Sequence, residues 1–356
     1  MSFFKHVKDG YQVEQTYRYE TTTTLAQEAI KDGGSIHPLV IPSDMSGGTG
    51  LMNPSVLNYN GKLLVNVRCT NYMFYHSEKK KFAHPWGPLT YLHPEDDLRL
   101  RTENFYCELD ENYNITRVNH VDMSQFNKEP IWEFVGLEDA RLTYWNNKLY
   151  LTGVRRDTTD SGQGRMELSE IEVRDDSVVE VSRTRIGAPG DDKSYCEKNW
   201  MPVINQEFTY VKWCNPTEVV LADVQKAKSE TIFLDETTYF SENPKGLTEP
   251  RGGSQVIPFG DYYIALTHEV DLFKGEKKVK DGVYRHRFIV WDKNWKIVNY
   301  SNDFTIMGGH TEFSCGMCHY NGKMLITFGF QDNSAYLLEV PYSTIERFVN
   351  EERGAR

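Results

Sequence analysis

An all-β fold, a five-bladed β-propeller with short helices near the chain ends, is predicted by three observations. An aromatic or apolar residue, a turn pair and an apolar run recur five times along the 356 residues. Aromatic residues make up 13% of the chain, and Tyr, Phe, Trp, Val, Ile and Thr gather in the short runs that favour strands. Long helical patterns are scarce, whereas turn signals punctuate most of the sequence.

In chain order, a short helix starts at Thr24, where Gln27 completes a capping box and Gly33-Gly34 ends the run. The five hairpins turn at Tyr59-Asn60-Gly61-Lys62, Trp145-Asn146-Asn147-Lys148, Ile204-Asn205-Gln206-Glu207, Phe259-Gly260-Asp261-Tyr262 and Tyr320-Asn321-Gly322-Lys323. Asn-Gly between alternating apolar runs is the strongest short-range hairpin signal, because both central residues need positive φ. The runs 166–173, 178–186, 219–223, 284–291 and 295–300 read as outer strands. Between the first two hairpins a loop-rich insertion is expected from Tyr72 to Trp132, with Pro85, Trp86, Pro88 and His93-Pro94 roofing a pocket. A C-terminal helix is expected over 343–350, starting at Ser343 with Glu346 in the capping position. The whole of 1–356 is read as one catalytic domain. A β-sandwich would favour the same turns, but it would not explain why polar residues recur at the same end of every hairpin.

The net charge of −11 disfavours nucleic acid and anionic membranes as partners. No apolar run is long enough to span a bilayer and no signal-peptide pattern opens the chain, so a soluble cytoplasmic protein is expected, its homo-oligomeric state left open. The six cysteines make no disulfide framework. Cys315-Gly316-Met317-Cys318 lies in an apparent strand, which suits a buried, inert pair. No histidine pair has metal-ligand spacing, so the sequence gives no support for a metal and no cofactor is expected.

Residues equidistant from a two-residue turn face each other across a hairpin. Counting outward sets Asn53 against Arg68, and Glu138 against Arg155 with Asp139 and Arg156 beside them. It sets Lys198 and Asn199 near Lys212 and Trp213, Arg251 and Gly253 near His268 and Glu269, and Glu312 near Gln331 and Asp332. A radial arrangement would gather all these ends in one place. Two adjacent carboxylates followed by an arginine, Glu138-Asp139-Ala140-Arg141, are costly to bury outside a site or an ion-pair network. The converging cations, on an acidic body, suit phosphate or a phosphorylated co-substrate. Arg251-Gly252-Gly253-Ser254 lacks the helix that a phosphate loop requires. Tyr72, Trp200, Trp213 and Tyr284 could stack on sugar rings or pack in the core.

This ordered set resembles glycoside hydrolase family 130, the inverting β-mannoside phosphorylases and related mannosyltransferase/phosphorylases on a five-bladed propeller. The residues that carry the resemblance are Asn53-Pro54 with Arg68, Glu138-Asp139-Ala140-Arg141, Lys198 to Pro202, Thr267-His268-Glu269, Phe313-Ser314-Cys315-Gly316 and Phe330-Gln331-Asp332. The resemblance implies Asp139 as proton donor, in some members through a sugar hydroxyl, and Arg155, Arg156, Lys198 and His268 as phosphate ligands. It implies sugar contacts for Asn53, Arg68 and Asp332. Glu138, Asn199, Arg251, Tyr284 and Glu312 complete the candidate substrate-binding set. The expected activity is transfer of a mannosyl-like unit to or from phosphate with inversion, phosphate or a sugar phosphate being a co-substrate. The chain departs from the family pattern at Ala140, Glu269 and Phe330-Gln331. Glu269 and Glu312 could supply a general base for hydrolysis, and the cations could instead hold the diphosphate of a nucleotide sugar. A non-catalytic glycan-binding propeller is the reading outside enzymology.

Overall fold

A computed structural model of the chain describes residues 7–8, 11–12, 24–47, 50–75, 90–92, 97, 99–190, 194–239, 249–274 and 280–350. Most of their strands pair into five successive four-stranded antiparallel units, the first two of which are joined at their outer edges by a short parallel pairing of Val121 and Asp122 with Val178 and Val179. The first comprises Gly50–Tyr59, Lys62–Thr70, Leu100–Leu109 and Ile115–Asp122, and the second Glu138–Trp145, Lys148–Arg155, Arg165–Val173 and Val178–Ile186. The third comprises Met201–Pro202, Thr209–Cys214, Thr217–Asp223 and Lys228–Asp235, and the fourth Ile257–Phe259, Tyr262–Lys274, Lys280–Trp291 and Ile297–Tyr300. The fifth comprises Glu312–Tyr320, Lys323–Phe330 and Ser334–Pro341, completed on its outer edge by Ser35–Leu39 from near the start of the chain.

Five buried clusters show how the sheets close on one another. Leu57, Leu64, Leu142 and Leu151 fill the space between the first and second sheets, and Trp145, Met166, Trp200 and Tyr210 that between the second and third. Val211, Val219, Ile289 and Trp291 join third to fourth, and Ile264, Phe288, Met317 and Ile326 join fourth to fifth. Val56, Val65, Leu325 and Leu337 bring the fifth back against the first. Each sheet therefore buries both faces against its neighbours in a ring, the five-bladed propeller that the hairpin count predicts.

Four of the five expected turns form with the expected register, pairing Tyr59 with Lys62, Trp145 with Lys148, Phe259 with Tyr262 and Tyr320 with Lys323. Asn60 and Gly61 have φ of 51° and 85°, and Asn321 and Gly322 of 46° and 74°, the left-handed pair that hairpin twist demands. The third turn differs. Pro202 pairs with Tyr210, and the loop between them runs through Phe208 at φ 53° instead of reversing at Asn205-Gln206. The expected loop-rich insertion is also corrected: 100–109 and 115–122 within it are the outer strands of the first sheet. Its Pro85, Trp86, Pro88 and His93-Pro94 lie outside the described residues.

Both expected helices are present, at Leu25–Lys31 and Tyr342–Asn350. Thr24 accepts from the Gln27 N–H at 3.1 Å, and Gln27 accepts from the Thr24 N–H at 3.3 Å, so the capping box satisfies two otherwise orphaned donors. The helices are tied together by Arg347, which contacts Glu28 and Asp32 at 2.9 Å. They pack Leu25, Ile345 and Phe348 onto the cluster between the fourth and fifth sheets. No helix among the described residues is long and apolar enough to cross a membrane.

The innermost strands of different blades approach without forming a continuous ladder, so side chains must satisfy backbone groups there. Gln255, fully buried, donates to the Val56 and Leu142 carbonyls at 3.0 and 2.9 Å and to Ser55 Oγ at 3.0 Å, and accepts from the Met317 N–H at 2.8 Å. One amide at the foot of the fourth blade thus joins the first, second and fifth.

Candidate active site

The inner strands of the first and second blades are interrupted by bulges, between Met52 and Ser55 and between Glu138 and Arg141. Within or beside these irregularities Asn53 has φ 46° and Asp139 φ 51°, and Asn199 just before the third blade has φ 62°. Three non-glycine residues at matching places are held in a sparsely populated conformation, which costs free energy and re-aims their side chains. Neighbouring blades leave little room around them. A Cβ on Gly329 would stand 2.3 Å from Asn53 Oδ1, and one on Gly252 would stand 1.8 Å from the Asn199 carbonyl.

The three turned residues meet around Asp139. Its Oδ1 accepts from Asn53 Nδ2 at 2.7 Å and from Arg68 Nη1 at 2.6 Å. Arg68 is itself buried and fixed by Tyr72 OH at 2.7 Å and Thr102 Oγ1 at 3.2 Å, with Glu138 Oε2 3.7 Å away. Burial opposes ionisation of Asp139, but Arg68, the Asn53 amide, Arg141 and Lys198 outweigh it and hold the carboxyl at about 2. Arg141 donates to the Asp139 carbonyl at 2.7 Å and the Gly253 carbonyl at 2.9 Å, and reaches Asn199 Oδ1 at 3.4 Å. Its charge meets only neutral acceptors, so the site keeps a positive field.

Further cations border the same place. Arg156 Nε lies 3.6 Å from Glu138 and its other nitrogens reach the Gly162 carbonyl and Cys196 Sγ at 3.2 and 3.3 Å. Lys198 is exposed and makes no hydrogen bond or ion pair among the described residues, yet its charge acts on both Asp139 and His268. Arg251, exposed beside Glu249 at 3.9 Å, is bridged through its backbone to His268. His268 is buried, with Nδ1 3.0 Å from the Gly252 carbonyl, its ring stacked on Tyr284 at 5.7 Å and edge-on to Phe313 at 4.6 Å. Burial first, then His286, Lys198, Arg141 and Arg251, push its pKa well below the usual histidine value. The imidazole is therefore neutral, Nδ1–H donates to the carbonyl, and Nε2 is left as an acceptor. Asp332, at the end of the fifth blade, is driven up to about 6 by burial, with Arg68 opposing and Asp139 reinforcing that shift.

Of the expected residues, Asn53, Arg68, Glu138, Asp139, Arg156, Lys198, Asn199, Arg251, His268, Tyr284 and Asp332 are brought to this end of the ring. Two are not part of the open site. Arg155 is buried and pairs with Asp157 at 2.9 Å and Glu167 at 3.0 Å, an ion-pair network within its own blade. Glu312 is buried and accepts from the backbone N–H groups of Ile306, Met307 and Gly309 at 2.6–2.8 Å, so it anchors a loop instead of meeting a sugar or serving as a base. Lys212 pairs with Glu218 at 3.1 Å, and Trp200 is fully buried in the core. The bulges shift the expected pairings by one residue: Arg68 faces Met52, and Glu138 faces Val154.

Sequence reasoning missed the residues that hold this constellation. Tyr72 and Thr102 fix Arg68, and Gln255 and Ser55 fix the strands that carry it. Arg141 was visible in its motif, but its role in joining the second, third and fourth blades follows only from the folded geometry. Cys315 and Cys318 are buried with thiols raised to about 12 by desolvation, in keeping with an inert pair.

No family model and no curated protein sequence matches the chain. Solved structures do. A β-1,2-mannobiose phosphorylase from Listeria innocua in complex with β-1,2-mannobiose is similar with a TM-score of 0.51 and 13% identity, over 85% of this chain and 93% of that one. A structure described under family 130 mannoside phosphorylases containing hydrolases that target β-1,2 mannosidic linkages in Candida mannan is similar with a TM-score of 0.51 and 13% identity, over 83% and 85%. At such identities the likeness is one of fold, and the fold of this chain resembles that of glycoside hydrolase family 130 along most of its length.

Proposed function

We propose that the protein is a carbohydrate-active enzyme that transfers a mannosyl-like unit to or from phosphate with inversion. The observation that carries this reading is the carboxylate Asp139, locked by Asn53 and Arg68, with Arg141, Arg156 and Lys198 around it and Arg251 beside the neighbouring His268. In an inverting phosphorolysis, phosphate attacks the anomeric carbon from the face opposite the leaving oxygen, so no second carboxylate is needed as base. Arg156 and Lys198 suit the phosphate because both have donors to spare. His268 Nε2, an acceptor, suits the P–OH of a phosphate or a sugar hydroxyl. Asp139, being ionised, would orient a substrate hydroxyl and offset positive charge developing at the anomeric carbon; it could pass a proton on only after receiving one.

The test is release of phosphate from mannose 1-phosphate in the presence of a panel of acceptor sugars. Asp139→Asn should lower turnover by about 10²–10⁴-fold with circular dichroism unchanged; a fully active variant would remove Asp139 from the mechanism. Arg156→Ala and Lys198→Ala should each weaken phosphate by about ten- to a hundredfold, the loss of one charged hydrogen bond. Hydrolysis is the second reading, favoured by the unprotonated Nε2 of His268, which could take a proton from water. Release of free mannose without phosphate would establish it, and stabilisation by a nucleoside diphosphate but not by phosphate would point to a nucleotide-sugar donor.

A further inference from the structure

The segment that carries Glu138 and Asp139 is mounted on the first blade before it enters its own. Phe134 and Val135 pair in parallel with Leu100 and Arg101 on the third strand of that blade. Gly136, at φ 105°, then presses against the same strand, where a Cβ would stand 2.2 Å from the Thr102 carbonyl, and its N–H donates to Asp157 Oδ2 at 3.0 Å. Next along, the Leu137 carbonyl accepts from Asn104 Nδ2 at 3.0 Å. The Ala140 carbonyl accepts from Asn66 Nδ2 at 3.4 Å, and the same amide donates to Asn104 Oδ1 at 2.9 Å. Contacts from the first blade thus follow the segment 134–140 almost residue by residue.

The bulge lies between the two amide contacts. Glu138 pairs with Val154 and Arg141 with Thr152, so Asp139 and Ala140 together oppose Gly153. An extra residue disrupts the ladder locally and re-aims a side chain. The carbonyls of Leu137 and Ala140, on either side of Glu138 and Asp139, are taken up by the amides, and Arg141 takes that of Asp139 at 2.7 Å. The positive φ of Asp139 needs such fixing, because a non-glycine residue keeps it only where its surroundings over-determine it.

The amides occupy positions that packing alone would fill with carbon. Alternate residues of a strand share a face, so Leu64, Asn66 and Arg68 on the second strand of the first blade look toward the second blade, as do Thr102, Asn104 and Tyr106 on the third. Leu64 and Tyr106 join the apolar cluster there, and Arg68 bonds Thr102 beside Asp139. Asn66 and Asn104, each 1% exposed, form the layer between. Arg68 and Asn104 are direct register partners, so the row that puts a guanidinium on the Asp139 carboxylate also puts an amide on the backbone two residues before it. Burying two amides costs free energy unless their polar atoms find partners. The partners here are one another and the bulge.

We propose that Asn104, together with Asn66, is a positioning residue of the active site: the pair sets the turned backbone that aims Asp139, without contacting the carboxylate itself. The effect on turnover rests on the glycosyl-transfer reading above. Asn53 and Arg68, which grip the carboxyl, stand on the same blade as the two amides, so side chain and backbone of Asp139 are held from one mounting.

Two measurements test it. A crystal structure of Asn104→Leu, which keeps the volume and removes the donor, should show Asp139 out of the left-handed region and its bond to Asn53 or Arg68 broken. Asp139 unmoved with both bonds intact overturns the proposal. In turnover, Asn104→Leu should lower kcat on a mannoside with phosphate by about a hundredfold, the effect of displacing a reacting group by about 1 Å. KM for phosphate should change by less than about threefold, because Arg156 and Lys198 lie outside the held segment. The loss should not multiply with that of Asp139→Asn: the double variant should turn over within about threefold of Asp139→Asn alone, as groups acting as a unit do. Losses that multiply would mark the amides as structural only and overturn the positioning role. Should Asn104→Leu fail to fold, Asn104→Ser, which keeps a hydroxyl donor at the same place, carries the same comparison with a smaller expected loss. Inertness of the wild type toward every mannoside and sugar phosphate would overturn the glycosyl-transfer reading instead, and the crystal structure, read without turnover, would still decide whether the amides set Asp139.

Discussion

Arg155 and Arg156 are adjacent, and alternation along a strand sends them to different fates. The sequence shows that one of them belongs with Glu138 and Asp139, but which one depends on the bulge that displaces Glu138 from Arg155 to Val154. Nothing in the residues 138–141 announces that bulge, because its cause lies in the neighbouring blades: Arg141 is drawn toward the Gly253 carbonyl and Asn199. Arg155→Met should therefore cost about 3–5 kcal/mol by leaving the buried Asp157 without its cation, measured by urea unfolding, with phosphate affinity unchanged. A loss of phosphate affinity at intact stability would return Arg155 to the site. Glu312 teaches the same lesson. Its place at the end of a hairpin was legible, but the three N–H groups that occupy it come from the loop 306–309, which no hairpin register describes.

At the scale of elements, local signals were legible and mixed ones were not. The capping box at Thr24 and Gln27 depends on contacts three residues apart, so the sequence displays it; Thr24→Ala should lower stability by about 1 kcal/mol, read as a shift in urea midpoint. The strands at 100–109 and 115–122 read as loop because the face they bury is partly polar. Thr102 and Asn104 are buried where apolar residues would have shown an alternation, Thr102 holding Arg68 and Asn104 bonding Asn66 at 2.9 Å. A strand that serves a site loses the pattern by which strands are recognised. The third turn failed for a simpler reason, since Gln206 lacks the tolerance of positive φ that glycine and asparagine bring to the other turns, and the positive φ falls at Phe208 instead.

For the whole molecule, buried ionisable groups set the response to acid. His286 is buried and lowered from 6.5 to about 3, chiefly by desolvation, and His268 is lowered too. Below about 6.5 the unfolded chain takes protons that the folded chain refuses, so these two groups withdraw stability as pH falls. Asp332 acts in the opposite sense. Its folded value of about 6 lies above the ordinary 3.8, so the folded chain gains a proton first and is relatively stabilised between those values. Asp139, lowered to about 2, withdraws stability only below about pH 4. His286→Asn should make the loss between pH 6.5 and 4 shallower by up to about 1.4 kcal/mol per pH unit, the slope of one proton, measured by urea unfolding across that range; an unchanged slope would show that His286 is protonated in the folded state.

The pairing of Ser35–Leu39 with Ser334–Pro341 has a consequence in time. On a ribosome the strand that finishes the last blade emerges before any blade exists, and its partner emerges only after the other four blades. Until then the ring stands open, with the faces of the first and fifth blades bare and the early strand without a ladder, the circumstances in which non-local β structure forms slowly and sticks to itself. Emergence of Ser334–Pro341, not synthesis of any earlier blade, is then the step at which the mouth of the site, shared by Asn53 of the first blade and Asp332 of the fifth, first comes into being.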